Sequence, residues 1–201
     1  AAIKLGIGMV HQHFMLVDRL TVAENVVLGN EPRRGILIDR EAACRVTEEL
    51  GRKYNLEVDP TALVADISVG LKQRVEIIKA LLRGAEILIL DEPTAVLASQ
   101  ETRELFEELR HLRDAGHTIL FISHKLDEVK ALCNRVTIMR GGRTLGTYEL
   151  EGLSKSDISR MMVGRDVVLK IEKEPASPGA VELSVRGVEY WSELGKKMID
   201  G

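Results

Sequence analysis

Short runs of large aliphatic residues alternate along this chain with stretches of helical periodicity. The most pronounced run is Glu86–Thr94 (EILILDEPT), in which four aliphatic residues lead into two acids and a proline. A short, uninterrupted apolar run predicts a strand of a parallel sheet that is buried on both faces. The strand should end at Pro93, which has no N–H to donate to a ladder. A similar run at Thr118–His124 predicts a second buried strand.

In other stretches of the chain the apolar residues recur at the spacing of amphipathic helices. Leu71, Val75, Ile78 and Leu82 would share one face of a helix over residues 70–82. Further helices are predicted over residues 21–28, 39–54, 99–115, 125–132 and 154–163, and further strands over 7–11, 135–140 and 144–150. A capping box at Thr21–Glu24 should open the first of these helices, and Asp39 should cap the second. Strands that alternate with helices in this way indicate the α/β class with a parallel sheet.

Two acids close the strand at Glu86–Thr94. The edge beyond the carboxyl ends of parallel strands is where open α/β sheets bind ligands. Asp91 and Glu92 are adjacent and would repel each other unless a positive charge lies nearby, and Mg²⁺ with a nucleotide is a natural candidate. From this strand alone, the alternative that the acids simply reach solvent or a helix N-terminus stays open.

Three motifs follow one another as ISVGLKQR (Ile67–Arg74), DEPT (Asp91–Thr94) and Ser123-His124. In this order they resemble the ATP-hydrolysing subunit of ABC transporters, and the resemblance extends over nearly the whole chain. The segment His11–Val17, together with Thr21–Asn25, is most similar to the ATPases of nucleoside and simple-sugar importers.

The resemblance implies a fold of the P-loop NTPase type, with a parallel sheet flanked by helices and a helical subdomain. The expected regions are the Q-loop strand and loop (1–20), the helical subdomain with the signature motif (21–83), the ATPase core (84–165), a linker (166–180) and the start of a second ATPase half (181–201). In the last region Val181, Leu183 and Val185 alternate as a half-exposed strand.

The resemblance also implies catalytic roles. Glu92 would act as the general base or orient the attacking water, and His124 would sense and stabilise the γ-phosphate. Gln12 would be the Q-loop glutamine, which contacts Mg²⁺ and water when ATP is bound. Its surrounding loop would meet a membrane permease.

The implied cofactors are ATP and Mg²⁺. Asp91 would hold Mg²⁺ through water, as would Gln12. Ser68 and Gly70 lie at the start of the helix over residues 70–82, where backbone N–H groups and the helix dipole favour an anion. In the family this end caps the γ-phosphate that the opposite subunit holds, although a serine in this position is also an ordinary N-cap.

Three positions depart from the family's usual pattern. Val69 stands where the signature normally has glycine and Leu71 where it has glutamine, so contacts from residue 71 to a nucleotide are in doubt. Ala98 replaces the usual D-loop aspartate, which removes communication between subunits through that side chain.

Composition narrows the partners. The net charge of −3 and the 3% aromatic content provide neither a basic patch nor a base-stacking platform, so nucleic acid is not expected as a partner. No apolar run approaches the ~20 residues of a membrane span. The resemblance implies permease subunits, a second ATPase half or subunit and, indirectly, an extracytoplasmic solute-binding protein. It places the protein in the cytoplasm, on the inner face of the membrane.

Hydrolysis in this family requires a phosphate-binding loop of the pattern G-x-x-x-x-G-K-[ST], and the 201 residues contain none. In the resemblance that Walker A strand and loop precede Gln12. We therefore expect the chain to be the middle of a larger, transport-coupled ATPase, and this piece alone to be inactive.

The leading interpretation is a subunit that hydrolyses ATP to power import of a small solute, a nucleoside or a simple sugar. A soluble ABC ATPase acting on ribosomes or nucleic acid is one alternative, and the near-neutral charge argues against it. A non-catalytic piece that docks on a permease is the other, and the missing loop favours it for this piece alone.

The resemblance also predicts a gap in the sheet. The strands would lie in the order 7–11, 87–91, 118–123, the phosphate-loop strand and then 135–140. Without that interior strand two apolar edges would face each other, and such edges recruit other chains. We expect strand 135–140 to repack against 118–123, or a second copy of the chain to fill the gap.

Overall fold

The computed structural model describes residues 2–165, 179–180, 183–192 and 197–200. The chain divides into two compact units, Ala1–Val167 and Val168–Gly201, and each is described by itself. The strands of the first unit are β1 (Ile7–Val10), β2 (Arg33–Arg34), β3 (Leu37–Ile38), β4 (Ile87–Asp91), β5 (Thr118–Ile122), β6 (Arg135–Arg140) and β7 (Arg143–Glu149). Its α-helices are α1 (Val22–Val27), α2 (Arg40–Tyr54), α3 (Val69–Leu82), α4 (Ser99–Asp114), α5 (Leu126–Leu132) and α6 (Lys155–Val163).

The helices begin where side chains can cap their free N–H groups. Thr21 and Glu24 form the predicted capping box of α1, and Ser154 and Asp157 form one at α6. Asp39 accepts from the Ala42 N–H at the start of α2. These local signals explain why the predicted helix positions are confirmed to within a residue or two. The short β2–β3 hairpin was not predicted, because its four paired residues are too few to give a pattern.

The central sheet is parallel, with strand order β1-β4-β5 as predicted. Val10 lies beside Leu90, and Leu90 lies beside Phe121, so these three residues share one face. Helices α3 and α4 cover this face. Leu88 and Leu90 are fully buried, and the Phe106 ring of α4 meets the Phe121 ring edge-on at 6.1 Å.

The opposite face of the sheet corrects the prediction that these strands are buried on both sides. Leu120 is 50% exposed and Ile122 is 42% exposed on β5, while Ile87 of β4 and Met9 of β1 are 36% and 40% exposed. No helix in the described residues packs over this face, which leaves a row of aliphatic side chains in contact with solvent. We call it the open face.

The far edge of β5 is also unpaired within the described residues. Strand β6 pairs with β7 in a separate antiparallel hairpin, so the expected repacking of 135–140 against 118–123 is wrong. Val136 and Ile138 instead pack against α5 and α6 in a small second core around Val129 and Ile158. Filling of the gap by a second copy remains a prediction.

The second unit is described only in part. Its β8 (Glu189–Trp191) and β9 (Lys197–Asp200) form an antiparallel hairpin. The strand predicted around Leu183 and Val185 is wrong for residues 183–186, which have no regular structure and expose both side chains. The predicted linker at 166–180 lies outside the described residues except for 179 and 180.

Among the described residues, no helix has the length and apolar character needed to cross a bilayer.

We predict that the chain self-associates through the open face and the β5 edge. Leu120→Lys places a charge on that face and should shift the population towards monomer. Light scattering after size exclusion, at tens of micromolar chain, measures the change. Ile36→Lys is the matched control, because Ile36 is 96% exposed but lies in the β2–β3 turn. Equal effects of the two substitutions, or a monomeric wild type, would contradict the prediction.

Candidate functional site at the carboxyl edge of the sheet

The parallel register brings three chain segments to one edge. Gln12, Glu92 and Ser123 each follow by two residues a member of the row Val10, Leu90 and Phe121. The motif residues of the sequence analysis therefore converge at the carboxyl ends of β1, β4 and β5, where ligand sites of α/β sheets lie.

Two of the predicted site residues, Glu92 and His124, are in direct contact at this edge. The Nδ1 atom of His124 lies 2.8 Å from Oε1 of Glu92. A carboxylate can only accept, so Nδ1 carries the proton of this hydrogen bond. The histidine side chain is 73% exposed and that of the glutamate is 19% exposed. Oε2 of Glu92 is buried and has no hydrogen-bond partner among the described residues. It is thus an acceptor left available for a water molecule or a ligand.

The backbone of Glu92 is in an unusual conformation. Its φ of 45° lies in the left-handed region, which non-glycine residues rarely adopt. Two hydrogen bonds hold it there: Glu92 N–H donates to the Ile122 carbonyl (3.0 Å), and Ala95 N–H donates to the Glu92 carbonyl (3.1 Å). Strain of this kind clusters at functional sites. Here it turns the glutamate side chain towards the end of β5.

A second layer of polar side chains fixes the same edge. Thr94 is fully buried, and its hydroxyl donates to Glu128 Oε2 at 2.6 Å. Lys125 Nζ donates to the Thr94 carbonyl (3.0 Å) and pairs with Glu128 (3.2 Å). The Ser123 hydroxyl also reaches Glu128, at 3.4 Å. This network ties the turn after β4 to the end of β5. Sequence reasoning missed Lys125 and Glu128, because charged residues on a short helix look like a solvated surface.

Asp91 and Gln12 are the residues expected to hold Mg²⁺ through water and not by direct coordination. Asp91 ends β4 half-buried, and Gln12 is exposed beyond β1. No group of three His, Cys, Asp or Glu side chains in the described residues is arranged to hold a metal by itself. The unpaired Glu92 Oε2 supplies one more acceptor at this edge. That Asp91 and Gln12 hold the ion through water stays a prediction.

The other two predicted site residues, Ser68 and Gly70, lie at the start of α3. No hydrogen bond or ion pair in the described chain joins them to Glu92 or His124. Ser68 acts as the N-cap, with its hydroxyl accepting from Leu71 N–H. The Gly70 N–H donates to Oε1 of Glu101 at 3.2 Å, and Oε2 of the same carboxylate accepts from Ala98 N–H at 3.0 Å.

Glu101 thus bridges the signature helix and the turn before α4. A Cβ at residue 70 would lie 2.9 Å from Oε1 of Glu101, so a larger residue there would push this carboxylate aside. Glu101 was not predicted, but a glutamate three residues after a helix N-cap is the available signal. The Ala98 backbone is therefore held by a carboxylate even though the usual D-loop aspartate is absent.

Helices α3 and α4 are joined further along by ion pairs. Arg74 donates to Glu108 at 2.6 Å and to Glu104 at 3.2 Å. Glu108 is nearly buried, and burial raises its pKa to about 6 even though the Arg74 guanidinium acts to lower it. Glu101, Glu104 and Glu108 together form a ladder of carboxylates along the α4 face that meets α3.

Solved structures define the class of protein first. The fold matches a nucleotide-free ATP-binding cassette from an ABC transporter with a TM-score of 0.64, at 20% identity over 80% of this chain and 66% of that one. The ADP conformation of another ABC-transporter cassette matches with a TM-score of 0.62, at 22% identity. The protein therefore has the α/β, P-loop NTPase-like fold of ATP-binding cassettes.

Sequence comparison then gives the family. Residues 1–95 match the family model described as ABC transporter. The chain is 46% identical over 200 residues to the nucleoside import ATP-binding protein NupA of Lactococcus lactis, covering 100% of this chain and 40% of that protein. It is 48% identical over 184 residues to the guanosine import ATP-binding protein NupO of Bacillus subtilis, covering 92% and 36%. The chain belongs to the ABC transporter family, and it spans about two fifths of these relatives' length.

We predict that the effect of Gly70→Ala on the unfolding free energy reverses its sign when Glu101 is replaced. With Glu101 present, the new Cβ pushes the carboxylate away from the Gly70 N–H, and loss of that hydrogen bond should cost about 1–2 kcal/mol of unfolding free energy, more than the better helix former returns. In a Glu101→Ala background the same substitution should stabilise by up to about 1 kcal/mol, since alanine is a better helix former than glycine. Denaturant unfolding of the four chains measures both values. Equal effects in the two backgrounds would show that residues 70 and 101 are not coupled.

We also predict a pH-dependent stability that originates at Glu108. A carboxyl whose pKa is raised in the folded state favours folding when protonated, and loses that contribution as the pH rises from 4.5 to about 6. Glu108→Gln cannot ionise. Its unfolding free energy relative to wild type should therefore rise by about 2 kcal/mol between pH 4.5 and pH 7.5.

Glu107→Gln is the control for this measurement, because Glu107 lies on the same helix with a side chain that is 67% exposed. Its difference from wild type should stay nearly constant over that range. A constant difference for Glu108→Gln as well would show that burial does not dominate the titration of Glu108.

Proposed function

We propose that this chain is part of a subunit that binds and hydrolyses ATP to power the import of a small solute, a nucleoside or a simple sugar. The observation that carries the proposal is the Glu92–His124 pair at the carboxyl edge, with one glutamate oxygen buried and unpartnered. The names of the relatives, which include nucleoside and guanosine import ATP-binding proteins, support the solute class.

In this proposal the residues at the edge share the work. Glu92 Oε1 is fixed by His124, so its free Oε2 can accept a hydrogen bond from water and act as the base that takes up its proton. The other ring nitrogen of His124, Nε2, takes no part in the contact with Glu92. Because Nδ1 carries the proton of the neutral ring, Nε2 can donate a hydrogen bond only when the histidine is doubly protonated. Bound Mg²⁺ would neutralise phosphate charge, held through water by Asp91 and Gln12. Positioning supplies most of the catalysis in phosphoryl transfer. The hydrogen bonds that Thr94 makes with Glu128 and Lys125 hold the edge in a fixed geometry.

The partners follow from the same proposal. Ser68 and Gly70 would meet ATP held by a second ATPase half or subunit, and for this the Gly70 N–H would have to exchange Glu101 for phosphate. The regions 21–83 and 84–165 would act as the helical subdomain and the ATPase core. Permease subunits would bind near the loop after β1, placing the protein at the inner face of the membrane. A solute-binding protein would act indirectly, and no nucleic acid is involved.

The test is Glu92→Gln in the full-length protein reconstituted with its permease. Glutamine keeps an oxygen for His124 but cannot take up a proton, so ATP turnover should fall by about 10²-fold or more while ATP binding is retained. Phosphate release and nucleotide binding measure the two effects. Glu86→Gln is the control, since Glu86 is exposed just before the opposite end of the same strand.

Turnover at the wild-type rate in Glu92→Gln would show that this glutamate is not catalytic. Co-purification with ribosomes instead of membrane proteins would favour the soluble alternative.

A further inference from the structure

Two charged residues on the buried face of α3 have a role that the proposed catalysis does not use. Glu76 is 6% exposed and Lys79 is 9% exposed. Among the described residues neither forms an ion pair, and both are bound to the backbone of one residue. The Met15 N–H donates to Glu76 Oε1 at 2.5 Å, and Lys79 Nζ donates to the Met15 carbonyl at 2.9 Å.

Burying an ionised side chain is costly unless strong hydrogen bonds compensate for the lost hydration. Apolar residues at two such positions would usually stabilise a helix interface as well or better. Charge-assisted hydrogen bonds are about twice as strong as neutral ones. Because Glu76 and Lys79 bind the N–H and the carbonyl of the same residue, they fix its position and its orientation. We call this arrangement the Met15 clamp.

Asn25 of α1 binds the backbone of Val17 in the same way, two residues after Met15. It is fully buried, its Oδ1 accepts from Val17 N–H at 2.8 Å, and its Nδ2 donates to the Val17 carbonyl at 3.0 Å. Leu16, between the two held residues, packs into the main core. The loop after β1 is therefore fixed at residues 15 and 17 by side chains of two helices.

The held loop presents apolar side chains outward. Met15 is 64% exposed and Val17 is 43% exposed, although the backbone of each is bound on both sides. A contact made on these two side chains would act on a rigid support. Through the Met15 clamp that support is α3, the helix whose first turn carries Ser68 and Gly70.

We propose that Glu76 and Lys79 are positioning residues which make the loop after β1 and helix α3 move as one body. A permease that presses on Met15 and Val17 would then displace the Ser68–Gly70 end directly. This inference rests on the proposed function and adds to it the residues that transmit the motion.

The experiment uses the full-length protein with its permease. Glu76→Met leaves the Met15 N–H without an acceptor, and Lys79→Met leaves its carbonyl without a donor. Glu76→Gln keeps a neutral acceptor and should rescue. Lys72→Met is the matched control, because it removes the same charge from the same helix. In the described part of the chain, Lys72 pairs at 3.5 Å with the Asp18 side chain, which belongs to the same loop but is 71% exposed and does not hold the loop's backbone.

Amide hydrogen exchange is the first readout. Exchange of the Met15 amide should accelerate about tenfold or more in Glu76→Met, the scale expected for the loss of a charged hydrogen bond. The Val17 amide, which Asn25 holds, is an internal reference and should change little. Unchanged exchange at Met15 would overturn the clamp, whatever the ATPase does.

The second readout is ATP turnover with and without the permease. Glu76→Met and Lys79→Met should keep the turnover rate of the protein alone within about twofold, and should lose most of its stimulation by the permease. Glu76→Gln and Lys72→Met should retain stimulation. Faster Met15 exchange with intact stimulation would overturn the coupling role. Absence of turnover in the wild type would overturn the proposed function and the coupling with it, while the exchange result would still decide whether the clamp exists.

Discussion

Close packing of α3 on one face of the β1-β4-β5 sheet is the constraint on which the rest of the first unit depends. Gly8 makes it possible, since a Cβ there would lie 2.8 Å from the Ala85 Cβ and 3.0 Å from the Ala80 Cβ. With α3 seated this closely, Val10, Leu88 and Leu90 are fully buried, and the carboxyl ends of three strands are aligned at one edge. The helix that packs there is also the one whose first turn carries the signature motif, so sheet and signature share a single core.

Carboxylates on α3 and α4 perform a second task, which is to hold backbone N–H groups of neighbouring segments. Glu76 holds Met15, and Glu101 holds both Gly70 and Ala98. Backbone groups in turns need partners when they leave solvent, and a carboxylate satisfies them more strongly than a neutral side chain. The contacts with Met15 and Gly70 link α3 to a loop and to a turn that the family resemblance associates with permease and nucleotide. The helix is thereby connected at its start to the α4 turn and near its middle to the loop after β1.

Sequence reasoning found the elements and both members of the Glu92–His124 pair because each leaves a local signal. The run before Asp91, the N-caps at Thr21 and Asp39, and the order β1-β4-β5 were all predicted and are confirmed. Burial on both faces of β4 and β5 was predicted wrongly, because an apolar run records what a strand can pack against and not what covers it. The contacts of Glu76 and Lys79 with Met15, and that of Glu101 with Gly70, could not be found for a related reason. Their partners in these three contacts are backbone atoms more than 30 residues away, and backbone atoms carry no sequence signal.

His124 follows β5, which is an edge strand with one partner strand among the described residues. A singly paired strand fixes its last residues weakly, yet the 2.8 Å contact with Glu92 requires a defined geometry. Side-chain hydrogen bonds provide this geometry. Thr94 and Ser123 both donate to Glu128, and Lys125 donates to the Thr94 carbonyl. These bonds tie the end of β5 to the turn after β4 without using the strand ladder. Ser123 Oγ also accepts from Lys125 N–H at 3.0 Å, which holds the backbone on the far side of His124. The residues on either side of the histidine are therefore held by a side-chain network around the buried Thr94, and this support does not depend on a second strand beside β5.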